Sequence, residues 1–208
     1  MTARLLTALA LAATTVLAAA PAAAQDSGNF LVRVRATHLN SADKDGTGLG
    51  LTINNKWLPE VDLTYFVTPN FAAELILTVP QKQTVHSGAL NADAGTFKHL
   101  PPTLLGQYHV TGLPGFRPYV GAGINYTNIS DVHLDAASTA LSADVNLKRD
   151  SVGFAIQAGV DVPLFDGYLL NVDVKKVQIG TKVLANEVSV GKFKVDPVLF
   201  SIGVGKRF

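Results

Sequence analysis

"VLFSIGVGKRF", residues Val198–Phe208, closes the chain. Chain termini are as a rule polar and loosely held. Here apolar side chains recur at every second position, at Val198, Phe200, Ile202 and Val204, and the last residue is the aromatic Phe208. Period-two spacing is that of a β-strand, whose successive side chains point to opposite faces. A strand that continues to the final residue needs a partner along its whole length, and that need organises the reading of everything upstream.

At the other end, Arg4 precedes an apolar run from Leu5 to Ala20, followed by Pro21-Ala22-Ala23-Ala24-Gln25. A basic start, a short apolar stretch and an A-x-A site identify residues 1–24 as a secretory signal peptide and residues 25–208 as one exported domain. No later stretch holds eighteen consecutive apolar residues, so no transmembrane helix is expected. Residues 1–24 contain Arg4 and no acid, so without them 16 basic residues face 16 acidic ones. That balance gives no support to a nucleic-acid partner, which would need a basic excess. There is no cysteine to form a disulfide framework. Charged residues make up 16% of the chain, against about 25% in ordinary soluble domains. Either much of the surface does not face water, or the polar residues are hidden.

Alternation dominates the exported part, and eight strands are predicted, near residues 29–38, 57–67, 71–79, 102–110, 117–127, 151–162, 168–177 and 197–208. About 9 to 12 residues is the length that crosses a bilayer at a tilt. The connections alternate. Thr68-Pro69-Asn70, TGLPGF (111–116) and PLFDG (163–167) are tight turns, whereas 39–56, 80–101, 128–150 and 178–196 are long polar segments. An antiparallel up-and-down meander with all short turns at one end has the asymmetry of an outer-membrane β-barrel.

One face of the strands carries Val32 and Val34, Val61 and Leu63, Leu75 and Leu77, Phe154 and Ile156, Val172 and Val174, Phe200 and Ile202. The opposite face carries Arg33, Arg35, Asp62, Glu74, Gln107, His109, Asn125, Gln157, Asp161, Asn171, Asp173 and Lys175. A soluble lipocalin-like barrel would show the same period with the apolar face inward. The polar faces of three strands are mostly small, however: Gly121, Gly123 and Asn125; Gly153, Ala155 and Gly159; Ser201, Gly203 and Gly205. A narrow eight-stranded interior has room only for small residues and a few paired charges, so the apolar faces are predicted to point to lipid. Tyr65, Phe71, Tyr108, Phe165, Tyr168 and Phe208 gather at the short-turn end, and Trp57 and Tyr126 at the long-loop end, as interfacial girdles do. The terminal strand then pairs with the first to its last residue, because an open sheet edge in hydrocarbon costs several kcal/mol per unpaired group. Phe208 with the alternation before it has the form of an assembly signal for the outer-membrane assembly machinery. Lys206 departs from that form and is expected to snorkel to the interface.

In the stretches HLPPTLLGQYHV (99–110), FRPYVGAGINYT (116–127) and VDPVLFSIGVGKRF (195–208), the chain resembles the OmpW family of small outer-membrane barrels. The resemblance implies an all-β, eight-stranded transmembrane barrel in the cell outer membrane. It also implies passive passage of small hydrophobic molecules, with an apolar channel opening sideways through the wall. No bond chemistry follows, so no enzyme activity and no cofactor are expected. The expected partners are outer-membrane lipids, small hydrophobic solutes and the assembly machinery.

Arg33, Arg35, Asp62, Glu74 and Asp173 are predicted to pair across the lumen as a polar plug. Proline offers no N–H to a ladder, so Leu100, Pro101 and Pro102 are candidates to frame a lateral opening, the alternative being a loop that simply ends before its strand. Trp57 and Leu58 are candidates for an apolar entrance, with interfacial anchoring the other role for Trp57. DKDGT (43–47) lacks the glutamate an EF-hand loop requires, since position 54 is Asn. Gly121-Ala122-Gly123 lacks the helix of a nucleotide fingerprint, and the five histidines show no ligand spacing. A short helix is expected near residues 136–143. Two other readings stay open: a structural or receptor barrel with a plugged lumen, whose loops bind phage or bacteriocin, and a membrane-embedded hydrolase.

Overall fold

The computed structural model describes residues 28–208, so the expected signal peptide, residues 1–24, lies outside the described residues. In chain order the elements are β1 (Phe30–Asn40), β2 (Lys44–Asp45), β3 (Leu51–Ile53), β4 (Lys56–Phe66), β5 (Phe71–Thr78), β6 (Gln81–Ser87), β7 (Ala92–Leu100), β8 (Thr103–His109), β9 (Arg117–His133), α1 (Asp135–Leu141), β10 (Val145–Leu147), β11 (Asp150–Pro163), β12 (Tyr168–Val177), β13 (Gly180–Ala185), β14 (Val188–Lys194) and β15 (Val198–Arg207).

Eight of these close into an antiparallel barrel, in the order β1, β4, β5, β8, β9, β11, β12 and β15, with β15 returning to β1. The closing ladder is continuous from Leu31↔Arg207 to Asn40↔Val198. Beyond it, Phe208 N–H donates to Phe30 O at 2.8 Å and Phe30 N–H to Phe208 O at 3.3 Å. The last residue is therefore ladder-bonded, as the terminal alternation requires.

The partition is inside-out. Val152, Phe154 and Ile156 are 73%, 70% and 60% exposed on the outer wall, whereas Arg33, Asp62, Glu74 and Asn171 are fully buried in the lumen. Among the described residues no helix is long and apolar enough to cross a membrane, and this wall crosses with strands. At the short-turn end Phe30 meets Tyr65 at 4.9 Å and Phe71 meets Tyr108 at 5.1 Å. Lys206 lies 4.3 Å from the Tyr168 ring centre, which gives its ammonium a partner within the girdle.

Two positions show why the inward small residues cannot be larger. A Cβ at Gly203 would collide with the Val34 carbonyl, and one at Gly159 with the Tyr119 hydroxyl. The first clash is with a neighbouring strand and the second with a lumen side chain, so lumen volume alone does not account for the glycines.

The long segments are more ordered than the sequence suggests. The last residues of β9 leave the barrel and pair with β7, which carries β6 and β3 as an outward extension of the wall. A second sheet, in the order β10-β13-β14-β2, stands beside it. Helix α1 falls where a short helix was expected and ends at Ser142, whose φ of 49° is left-handed. The DKDGT turn binds itself: Asp45 accepts the N–H groups of Thr47 and Gly50, both at 2.9 Å.

A cation on the outer wall tests this partition. Val172, paired with Ile202 and Val160, is half-exposed on the lipid face. Val172→Arg is expected to cost about 2–4 kcal/mol if it lies at the bilayer midplane. Val172→Leu is expected to leave stability unchanged, as read by urea unfolding in lipid vesicles.

Candidate functional site

Parity along the strands builds the centre of the lumen. Arg33 and Arg35 of β1 stand opposite Asp62 and Glu60 of β4, and all four side chains are buried. Arg33 reaches Glu74 at 3.1 Å and Asp161 at 2.6 Å. Arg35 reaches Glu60 at 3.0 Å, Asp62 at 2.5 Å, Glu74 at 3.3 Å and Asp173 at 3.5 Å. Lys175 bonds Glu60 at 2.6 Å and Asp173 at 2.9 Å. The three cations face five carboxylates, and neutral groups supply further bonds: Tyr119 donates to Asp173 at 3.0 Å and Gln107 to Glu74 at 2.8 Å, while Thr64 accepts from Arg33 and Asn171 from Arg35.

The five residues expected to pair across the lumen, Arg33, Arg35, Asp62, Glu74 and Asp173, thus belong to one network. Glu60 and Tyr119 complete it and were not named from the sequence. Both were findable by parity, since Glu60 is two residues before Asp62 and Tyr119 two before Gly121.

Apolar layers flank this ionic one. Toward the short turns lie Leu31, Phe66, Ala72 and Leu169, with the Arg207 guanidinium 3.9 Å from the Phe66 ring centre. Toward the long loops a small cavity of about 30 Å³ is lined by Leu39, Leu58, Ile76, Val177 and Leu199, and Glu60 and Lys175 border it. Its side wall includes Thr78, Gln81, His99 and Pro101. His99 is buried, and its Nδ1 has no hydrogen-bond partner among the described residues.

At that wall the barrel ladder is incomplete. The β5–β8 pairing runs from Phe71↔Tyr108 to Ile76↔Thr103 and stops. Leu77 and Thr78 still pair with Val61 and Glu60 of β4, but on their other side the chain continues into Pro102 and Pro101, which carry no N–H. The proline carbonyls are engaged elsewhere: Asn125 Nδ2 donates to both at 3.2 Å, and Tyr126 N–H donates to Pro102 O at 3.1 Å. Thr78 Oγ1 and Gln81 Nε2 donate to Val79 O on the facing side. Leu100 pairs with Asn128 of β9, so the seam itself is formed by the two prolines.

Leu58 and Trp57 part company, as neighbours on a strand must. Leu58 lines the cavity. Trp57 is 62% exposed on the outer wall, 5.0 Å from His38, and does not line the chamber. The two residues expected to form one apolar entrance thus point to opposite faces of β4.

Comparison with known proteins agrees with this geometry. A family model described as the OmpW family matches residues 26–208. "Outer membrane protein W" of Escherichia coli (strain K12) is 34% identical over 212 residues, 98% of this chain and 99% of that protein. "Uncharacterized outer-membrane protein y4mB" of Sinorhizobium fredii is 38% identical over 165 residues, 77% of this chain and 70% of that one. The crystal structure of the outer membrane protein OprG from Pseudomonas aeruginosa superposes with a TM-score of 0.75 at 29% identity, covering 88% of this chain and 96% of that one.

The ionic layer makes its own prediction. Removing one member of a buried pair leaves its partners charged and uncompensated, so Arg35→Met is expected to destabilise the barrel by about 3–5 kcal/mol. Lys98→Met breaks only an exposed pair with Asp131, 2.8 Å apart, and should cost less than about 1 kcal/mol. Denaturant unfolding in vesicles reads both.

Proposed function

The chain belongs to the OmpW family, and from that premise we propose that it passes small apolar solutes inward from the long-loop end and releases them sideways into the bilayer. It is an outer-membrane β-barrel. The observation that carries the proposal is an apolar chamber resting on a charged layer, with its side wall interrupted at Pro101-Pro102. Straight passage would force an apolar solute through Arg33, Arg35 and their carboxylates, where it would separate ion pairs without offering hydrogen bonds in return. Sideways passage from chamber to acyl chains exchanges one apolar surrounding for another. The barrier there is the parting of side chains at a seam that ladder bonds do not hold.

In this reading the five lumen charges, Arg33, Arg35, Asp62, Glu74 and Asp173, act as the plug that turns the path aside. Leu58 belongs to the chamber, the two prolines frame the exit, and Leu100 borders it. Trp57 anchors the outer rim. Phe208 is the assembly signal, and its bonds to Phe30 place it at the closing seam. The same plug, with a cavity of only about 30 Å³, favours a second reading in which nothing passes and the outer sheets bind a partner such as a phage or bacteriocin.

Uptake of an apolar fluorescent solute into proteoliposomes separates the two. The first reading expects uptake above empty vesicles. It also expects a severalfold fall in Leu58→Asp, which places a charge in the chamber, and in Pro101→Val/Pro102→Thr, which lets the ladder continue. Wild-type uptake equal to that of empty vesicles would favour the receptor reading. Unchanged uptake in the double proline variant would remove the lateral exit.

A further inference from the structure

Lysines crowd one face of the second outer sheet. Lys182 of β13 stands directly opposite Lys192 of β14, and Lys194 of β14 directly opposite Lys44 of β2. Directly opposed residues share a face, and Lys192 and Lys194 are two residues apart on one strand. Four ammonium groups therefore project from the same side of three adjacent strands. The other side buries Val183 and Phe193, which fixes the lysine side outward.

This arrangement carries an electrostatic cost. Like charges directly opposed destabilise antiparallel pairing. Among the described residues the ion pairs include none of these four lysines; the nearest uses a fifth, Lys148 with Asp150 at 3.2 Å. The other carboxylate at this place, Asp196, already accepts the Ile179 N–H at 3.0 Å.

Beside three of these lysines lies an open groove of about 440 Å³, lined by Lys148, Lys182, Lys192 and Lys194, by the two carboxylates Asp150 and Asp196, and by Ser151 and Val152. Val152 belongs to the lipid-facing wall and pairs with Tyr126 of the outer aromatic belt. The lower rim of the groove is thus the level at which hydrocarbon gives way to headgroups. A soluble anion would use the lysines alone. A lipid would use the lysines with its headgroup and the wall at Val152 and Phe154 with its acyl chains, which is the continuity the surface offers.

We propose that this groove is a binding site for a phosphorylated lipid headgroup of the outer leaflet. The lysines supply charge-assisted hydrogen bonds to phosphate oxygens, and the bound phosphate offsets the repulsion between opposed lysines. The site is separate from the proposed solute path, since its lysines line no part of the chamber and Ile179 alone borders both.

The test uses the full barrel in phosphatidylcholine nanodiscs doped with bisphosphorylated lipid A or with the same lipid dephosphorylated, and native mass spectrometry counts retained lipid. Wild type should retain the phosphorylated lipid selectively and lose it as salt rises. Lys182→Gln/Lys192→Gln should weaken retention by about fivefold for each lysine neutralised, while Lys182→Arg/Lys192→Arg should keep it. Heat-dependent gel migration establishes that each variant is folded. Should a glutamine variant fail to fold, the wild-type salt titration decides. Retention that ignores the phosphates, the salt or the lysine changes would overturn the proposal. Complete displacement by an equal concentration of inorganic phosphate would overturn it in favour of a soluble anion.

Discussion

Hydrocarbon offers no partner to a backbone N–H or C=O, so a sheet that crosses it cannot end in an edge. In this protein the constraint acts most visibly where β15 meets β1, at opposite ends of the sequence and paired residue by residue. It explains why Phe208 is held to Phe30 by backbone hydrogen bonds. It also explains why strands approach so closely that a side chain at Gly203 would collide with the Val34 carbonyl. Closure further dictates the inverted partition, because a ring of eight strands has one face toward lipid and one toward a space too narrow for bulk water. Polar residues inside that ring must satisfy one another, and the charged ones do so in one network at its centre.

The barrel was legible because its signal is local and repeated. Apolar and polar residues alternate with high contrast in each spanning strand, so the strand ends fall mostly within one or two residues of those read from the sequence. Strand β9 is the exception. Its reading stops at residue 127, yet the strand continues to His133, because its last residues pair with β7, a partner remote in sequence that no local pattern announces. The hairpin of β6 and β7 was read as loop for a related reason. Buried Gln81 and Gln83 alternate with Lys82 and Thr84, so both faces are polar and the contrast on which period-two reasoning depends disappears. At the site, parity located the ionic residues, and Glu60 and Tyr119 were open to the same argument. Trp57 and Leu58 follow the same parity: as neighbours on β4 they point to opposite faces.

The lumen is organised by depth. Its ionic layer ties β1 to β4, β5, β11 and β12 through side chains as far apart in sequence as Arg35 and Asp173, so it fixes the barrel cross-section as well as filling it. Buried ion pairs seldom add net stability, since desolvation opposes their attraction. On the proposed reading, what this layer contributes is a barrier to apolar solutes. The chamber beyond it is built from the opposite chemistry, with Leu39, Leu58, Ile76 and Leu199 around it, and the two meet at Glu60 and Lys175. The change from apolar to charged surroundings is abrupt, which is what a boundary to inward movement requires.

Pro101 and Pro102 raise a conflict with the constraint that governs the rest of the fold, because they interrupt the wall where continuity is otherwise enforced. The structure contains the cost in two ways. Carbonyls at the break are taken up locally, those of the prolines by Asn125, with the Tyr126 N–H also on Pro102, and that of Val79 by Thr78 and Gln81. The interruption also lies at the long-loop end, where β6 and β7 rise beside it and lipid gives way to the interface. A sequence selected only for closure would place a β-branched residue at each proline position and continue the β5–β8 ladder past Ile76↔Thr103. Two prolines in succession, with three side-chain donors arranged around the break, fit the proposed lateral exit. On the proposed reading, the energetic asymmetry between that seam and the charged layer next to it sets the direction a solute takes.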